Sequence, residues 1–242
     1  MTDSVLSCAA DPMGAAIYDF HKNGKADVLR VFSSQFEDDE IPVADLFREF
    51  EDMPELEQVA LEMASGKILD VGAGSGCHSV ALQKMGKRAV AIDISPLSVE
   101  VMKERGVDVR QVNLYDPAFS EKFDTVLMLM NGTGIIGCLD NMPAFFERMK
   151  ELLAPDGCIL IDSSDLRYLF EEDGSLMIDL ADDYYGQLDY QMQYKDVLGE
   201  PFDWLYVDFD TLAFYAEESG FSAELIAEGE HYDYLAKLTV MK

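Results

Sequence analysis

The stretch KILDVGAGSGCHSV, residues 67–80, decides how this chain is read. A short apolar run, Ile68–Val71, gives way to three glycines at alternate positions, Gly72, Gly74 and Gly76, and then to residues that suit a helix. The apolar run predicts a buried strand. The glycines permit a tight turn and let backbone approach a ligand where a Cβ would be in the way. The following helix presents its first, unpaired N–H groups at the same place. The stretch therefore predicts strand, turn and helix arranged to receive something against bare backbone.

Working outward, strands and helices alternate. Upstream, Leu56, Val59, Ala60 and Met63 recur at helical spacing until Gly66 stops the helix. Downstream, strands are expected at 88–95, 107–114, 123–130 and 158–162, with helices through 80–85, from Pro96 to Gly106 and over 144–153. The nearly continuous apolar run FDTVLMLM (123–130) suits a strand buried on both faces. Repeated β-α-β units predict an α/β fold with a doubly wound, mostly parallel sheet. The tail differs. GQLDYQMQYK (186–195) alternates strictly, and FDWLYV (202–207) puts Phe202, Trp204 and Tyr206 on one face, which predicts an added antiparallel hairpin. A helix over 210–220, with Asp210 as N-cap and Gly220 just past its end, precedes two final strands near 222–229 and 232–241. The expected organisation is a helical N-terminal cap segment, 1–60, and a main domain, 61–242, with the hairpin inserted at about 186–207.

The chain has 242 residues, 49% of them hydrophobic, which fits one large α/β domain with a sizeable core. Its 47 acidic and 18 basic residues give a formal charge of −29. Nucleic-acid binding draws most of its affinity from Lys and Arg neutralising phosphates, so DNA and RNA are poor partner candidates. No run approaches the roughly 20 apolar residues of a membrane-spanning helix, and the first residues do not resemble a secretory signal. The four cysteines, Cys8, Cys77, Cys138 and Cys158, form no CxxC pair or metal-ligand spacing. A reduced, cytoplasmic protein without a membrane partner is the simplest expectation, and the oligomeric state stays open.

Two kinds of protein use such a glycine turn. The dinucleotide pattern G-x-G-x-x-G is interrupted here by Cys77. The spelling Asp70-x-Gly72-x-Gly74-x-Gly76 instead closely resembles motif I of the class I S-adenosylmethionine-dependent methyltransferases. AIDIS places Asp93 at the end of the second strand, FDTVLMLMNG looks like that family's strand-four motif, and LLAPDGCILID looks like its approach to strand five. The resemblance covers about 66–164 well and 209–242 in outline. It implies the seven-stranded Rossmann-like methyltransferase fold and S-adenosylmethionine as cofactor. It also implies that Gly72, Ala73, Gly74 and Gly76 pass beneath the methionine and ribose, and that Asp70 orients the loop and the amino group. Asp93 would take both ribose hydroxyls with its two acceptor oxygens, and Ile94 would pack on adenine. Asn113, followed by Leu114, stands where the family often has an acid facing the adenine amino group. Met130 and Asn131 would line the methyl-donor side.

Methyl transfer from a sulfonium is an in-line displacement, so the main task is alignment. A base is needed only if the nucleophile starts protonated, and no catalytic residue is assigned. MNGTG (130–134) is not the Asp/Asn-Pro-Pro-Tyr spelling of many base and amide N-methylating relatives. Asn131 and Asp162 end neighbouring strands, too few groups to imply a metal. His78, just after the glycines, is read as structural, with a pocket acid/base role as the alternative. The acceptor half of the site is expected under the N-terminal segment and the hairpin, with Tyr18, His21, Arg48, Tyr190 and Trp204 as candidates, beside Phe47 and Tyr206. Arg48 could grip a carboxylate of the cofactor or the substrate. The expected function is methyl transfer to a small-molecule acceptor. A protein methyltransferase and a non-catalytic S-adenosylmethionine-binding protein are the alternatives.

Overall fold

The computed structural model describes residues 4–172, 175–176 and 183–242. Of the two expected segments, residues 1–3 of the first and 173–174 and 177–182 of the second lie outside these.

Helix α1 (Pro12–Asn23) starts where Asp11 accepts the Gly14 amide at 2.9 Å and ends at Gly24, in the left-handed region at φ 68°. Strands β1 (Leu29–Phe32) and β2 (Asp39–Ile41) follow, then α2 (Glu55–Met63), β3 (Lys67–Val71), α3 (Cys77–Lys84) and β4 (Arg88–Asp93). Next come α4 (Pro96–Glu104), β5 (Val109–Gln111), β6 (Phe123–Met128), α5 (Met142–Leu152) and β7 (Leu153–Ser164). Two-residue strands β8 (Glu171–Glu172) and β9 (Ser175–Leu176) pair with each other. The tail comprises β10 (Gln187–Tyr194), β11 (Val197–Leu198), β12 (Phe202–Leu205), α6 (Phe209–Glu218), β13 (Phe221–Glu228) and β14 (Asp233–Val240).

Among the described residues, seven strands form the main sheet in the order β13-β14-β7-β6-β3-β4-β5. The five strands β7, β6, β3, β4 and β5 run parallel, and β14 lies antiparallel to both β7 and β13. This is the expected doubly wound architecture. Alternate residues serve opposite faces. Ile68, Leu127, Leu160 and Leu235 pack with Leu56, Ala60, Leu61, Ala81 and Leu82 of α2 and α3. Leu69, Val126, Ile159 and Ile161 pack with Phe145, Phe146, Met149 and Leu212 of α5 and α6. Each such side chain, fully buried, contributes about 1.5–3 kcal/mol.

Some boundaries differ from the pattern reading. β5 covers three residues rather than 107–114, since it pairs only with β4 and the chain turns away at Asn113. β7 begins at Leu153, before the expected turn, and absorbs Asp156 in a left-handed conformation. The N-cap of α6 is Asp208, whose extended backbone lets its carboxylate accept the Thr211 amide at 2.9 Å, while Asp210 lies in the first turn.

The larger difference is at the N-terminus. The segment expected to be helical also contributes β1 and β2, and these join the hairpin strands in a second sheet, ordered β11-β10-β1-β2 with β12 also paired to β10. β10 lays Gln191–Tyr194 along β1 and Gln187–Tyr190 along β12. Helix α1 lies between this cap sheet and α4, burying Ala16, Ile17, Leu29, Val43, Val101 and Tyr194 together. Among the described residues, no helix is long and apolar enough to cross a membrane.

Candidate functional site

Strand order reverses between β3 and β6, and the crevice beyond the carboxyl ends of these strands is where open α/β sheets bind ligands. The glycine loop after β3 forms one wall. Gly72, Gly74 and Gly76 all have positive φ (66°, 57° and 80°), which side-chain-bearing residues rarely adopt. A Cβ on Gly76 would meet Met102 of α4 at 2.8 Å, so that glycine serves helix packing. A Cβ on Gly74 would meet Ile17 in ordinary contact at 3.8 Å, so it is the positive φ rather than crowding that favours glycine there. The Gly74 amide donates to Asp93 Oδ2 at 2.8 Å, and the Ser95 amide donates to Oδ1 at 2.8 Å. Each Asp93 oxygen thus keeps a lone pair for a further donor. Burial pushes the Asp93 carboxyl up to about 6 against these two amide bonds, and Asp11 and Asp70 nearby push the same way. Ala73 is buried in the loop.

Asp70 is buried beneath the loop and accepts the Ser79 hydroxyl at 2.7 Å, tying β3 to the first turn of α3. Beside it lies a buried trio. His78 Nε2 meets Glu57 Oε2 at 2.7 Å, and Arg48 Nη2 pairs with the other Glu57 oxygen. Desolvation pulls His78 down, but Glu57 and Asp70 outweigh it and raise its pKa. That makes His78 part of a buried charge cluster, in keeping with a structural role. Arg48 Nε is buried without a hydrogen-bond partner.

The N-terminal strap runs across the ends of β4 and β5. The Leu6 amide donates to the Ile94 carbonyl at 3.0 Å, and Asn113 Nδ2 donates to the Ser4 carbonyl at 3.1 Å. Asn113 Oδ1 accepts the Tyr115 amide at 3.0 Å. Leu114 points its side chain into the main core. Asp11, fully buried, holds Ser95 Oγ at 2.7 Å and so fixes the start of α4.

The loop after β6 forms the opposite wall. Met130 and Asn131 both have positive φ, 64° and 60°, conformations that cost of order 1–3 kcal/mol each outside glycine. Met130 is 36% exposed. The Asn131 side chain is engaged: Nδ2 donates to the Leu205 carbonyl at 3.3 Å and Oδ1 accepts Ser163 Oγ at 3.2 Å. Asp162 spends both oxygens on the amides of Met130 (3.0 Å) and Gly132 (2.8 Å). Asp162 therefore clamps the backbone on either side of Asn131 rather than pairing with its side chain, and among the described residues no three metal-ligating side chains converge.

The cap sheet brings its aromatic hairpin face to this loop. The Trp204 ring lies over Gly134, where a Cβ would overlap it. Trp204 stacks edge-on against Phe202 (5.9 Å between centroids), Phe202 against Tyr190 (6.2 Å), and the Tyr190 and Tyr206 hydroxyls are 3.3 Å apart. Other acceptor candidates are placed elsewhere. His21 does not join them: it pairs with Glu104 Oε2 at 3.0 Å on the exposed side of the α1–α4 contact. Phe47 packs on Phe20 and under Arg105. Tyr18 is half-buried in the cap core beneath Lys22. The sequence neighbourhoods of Asp11 and Glu57 give no sign of their contributions, and that of Asp162 shows only a strand-end acid, because each meets partners distant along the chain.

Comparison with known proteins matches this geometry to one family. The profile of the methyltransferase domain family fits residues 68–157. The crystal structure of an S-adenosylmethionine-dependent methyltransferase from Bacteroides fragilis, in complex with S-adenosyl-L-homocysteine, is 66% identical, covers 99% of each chain and has a TM-score of 0.94. Two curated relatives are more distant. The cypemycin N-terminal methyltransferase of a Streptomyces species is 29% identical over 40% of this chain and 42% of its own. A ubiquinone biosynthesis O-methyltransferase of Xanthomonas euvesicatoria is 31% identical over 43% and 45%. The chain thus spans less than half the length of these two curated relatives.

Proposed function

The chain belongs to the S-adenosylmethionine-dependent methyltransferases, and from that premise we propose that it methylates a small-molecule acceptor held between the crevice and the cap sheet. The observation that carries this reading is the Gly74–Asp93 pair. It offers bare backbone and a carboxylate with free lone pairs at the switch point of the sheet.

S-adenosylmethionine supplies an electrophilic methyl group on a positively charged sulfur, with a neutral thioether as leaving group. The residues present fit it. Asp93 would accept the two ribose hydroxyls, and Gly72–Gly76 would pass beneath the methionine portion. Ile94 would pack on adenine, with the strap across Asn113 closing that end. The orphaned Nε of Arg48 suits a carboxylate, since a buried N–H left without an acceptor is costly, even though the same guanidinium pairs with Glu57 through Nη2. Met130 and Asn131 would wall the methyl-donor side, and Trp204, Tyr190 and Tyr206 would shape the acceptor pocket. The protein's work is then alignment and exclusion of water, and the aromatic face suits an apolar or cationic acceptor.

A peptide acceptor is the second reading, favoured by the likeness to an N-terminal methyltransferase. Calorimetry with S-adenosylhomocysteine and with NAD tests the cofactor, and micromolar binding of the first alone is expected. A methylation screen over small amines, phenols and short peptides then tests the acceptor. Tight NAD binding, or turnover of peptides only, would overturn the corresponding part.

A further inference from the structure

The left-handed pair Met130–Asn131 forms one wall of the crevice, and its shape is imposed from the neighbouring strand. Successive amides in such backbone converge on a concave anion site. The anion here belongs to the protein: Asp162, on β7, takes the Met130 amide with one oxygen and the Gly132 amide with the other. Each oxygen takes one amide, so the carboxylate bridges the backbone on both sides of Asn131.

What it fixes reaches the cap sheet. With the 130–132 backbone set, the Asn131 amide group meets the Leu205 carbonyl, and Thr133 Oγ1 donates to the same carbonyl at 2.9 Å. Ser163, buried next to Asp162, bonds Asn131 and Thr133 and accepts the Val207 amide at 2.9 Å. These bonds hold Leu205 and Val207, on either side of Tyr206, and the adjacent Trp204 is pressed onto Gly134 of the same loop. A chain of short contacts thus runs from one carboxylate to the largest aromatic of the acceptor side.

We propose that Asp162 is a positioning residue: by clamping the Met130 and Gly132 amides it sets the loop after β6 and, through Asn131, Thr133 and Ser163, the placement of Trp204 against the crevice. This deepens the functional reading above and rests on it for the meaning of that wall. A purely architectural clamp would lower the melting temperature of a variant and leave Trp204 and ligand affinity as they were.

Trp204 is the sole tryptophan of the chain, so its fluorescence reports this one place. The experiment compares the unaltered protein with Asp162→Asn by acrylamide quenching and by calorimetry with S-adenosylhomocysteine, well below the melting temperature. The amide side chain presents an N–H₂ to a backbone N–H and loses one of two charge-assisted bonds. Quenching of Trp204 should rise, and affinity for S-adenosylhomocysteine should fall by about tenfold. A folded Asp162→Asn with unchanged quenching overturns the proposal. If that variant does not fold, Asn131→Gly, which tolerates the left-handed backbone, leaves the clamp in place and cuts the side-chain link to Leu205; it should also raise quenching, and no change there overturns the proposal as well. Failure of the unaltered protein to bind S-adenosylhomocysteine would sink the functional reading, while the quenching comparison still decides the clamp.

Discussion

The two sheets of this molecule are held by different means. The main sheet is parallel at its centre, buried on both faces, and supports its half of the site with backbone and one carboxylate at strand ends. The cap sheet has antiparallel strands over a small core and presents an aromatic face, Trp204, Tyr190 and Tyr206, which the proposed function assigns to the acceptor. A site so divided should let stability, cofactor affinity and acceptor geometry respond to separate substitutions.

Phe146→Ala should have the largest effect. Phe146 is fully buried in α5, 5.2 Å from Phe145 and 5.0 Å from Phe221 between ring centroids. Truncating it should cost about 3–5 kcal/mol of stability in urea unfolding. A loss much smaller than this would mean that the main sheet is not the dominant core.

Asp93→Ala comes next. It should weaken S-adenosylhomocysteine binding by about tenfold or more, since bonds to a charged acceptor are worth roughly 1.5–3 kcal/mol each, with the fold intact. Unchanged affinity in calorimetry would remove Asp93 from the ribose. The same carboxylate gives a pH signature. It ionises near 6 in the folded chain against 3.8 unperturbed. Between those values the folded chain keeps a proton that the unfolded chain has released. Its contribution to folding is therefore complete below 3.8 and is lost as pH rises through about 6. Ribose hydroxyls need the ionised form, so the rise in melting temperature caused by S-adenosylhomocysteine should grow as pH is raised through about 6. Asp93→Ala should flatten that growth.

The smallest effect belongs to Tyr194→Phe. The buried Tyr194 hydroxyl donates to Asp19 Oδ2 at 2.9 Å and accepts the Asp27 amide at 3.0 Å. Its loss should cost about 0.5–1.5 kcal/mol and leave S-adenosylhomocysteine affinity unchanged. A fall in affinity would show that the two sheets are more tightly coupled than their contacts suggest.

The glycine loop and the strand-end place of Asp93 were legible in the sequence because backbone geometry there demands particular residue types. Gly74 must be bare and left-handed, and Asp93 must end a strand. The cap sheet was legible in β10, whose eight residues are enough to alternate, and in β12, where Phe202 and Trp204 mark one face. β1 and β2, four and three residues long, gain their identity from pairing with β10, which no local pattern expresses. Glu57 reads as one more acid on a polar helix face, yet it is buried between Arg48 and His78, 9 and 21 positions away. Asp162 likewise reads as a strand-end acid, and its clamp depends on a loop 30 and 32 positions earlier.

The pairing of β1 with β10 bears on the order in which the molecule is assembled. Asp27 and Tyr194, bonded beside that pairing, are 167 positions apart. Closing so long a loop in an unfolded chain is entropically costly, but a formed main sheet brings the two ends together in advance. A main sheet formed first would therefore lower the entropic cost of assembling the cap sheet. Docking of the cap also completes the glycine loop, since the Leu46 carbonyl of the cap core accepts the Ser75 hydroxyl and Ile17 packs beside Gly74.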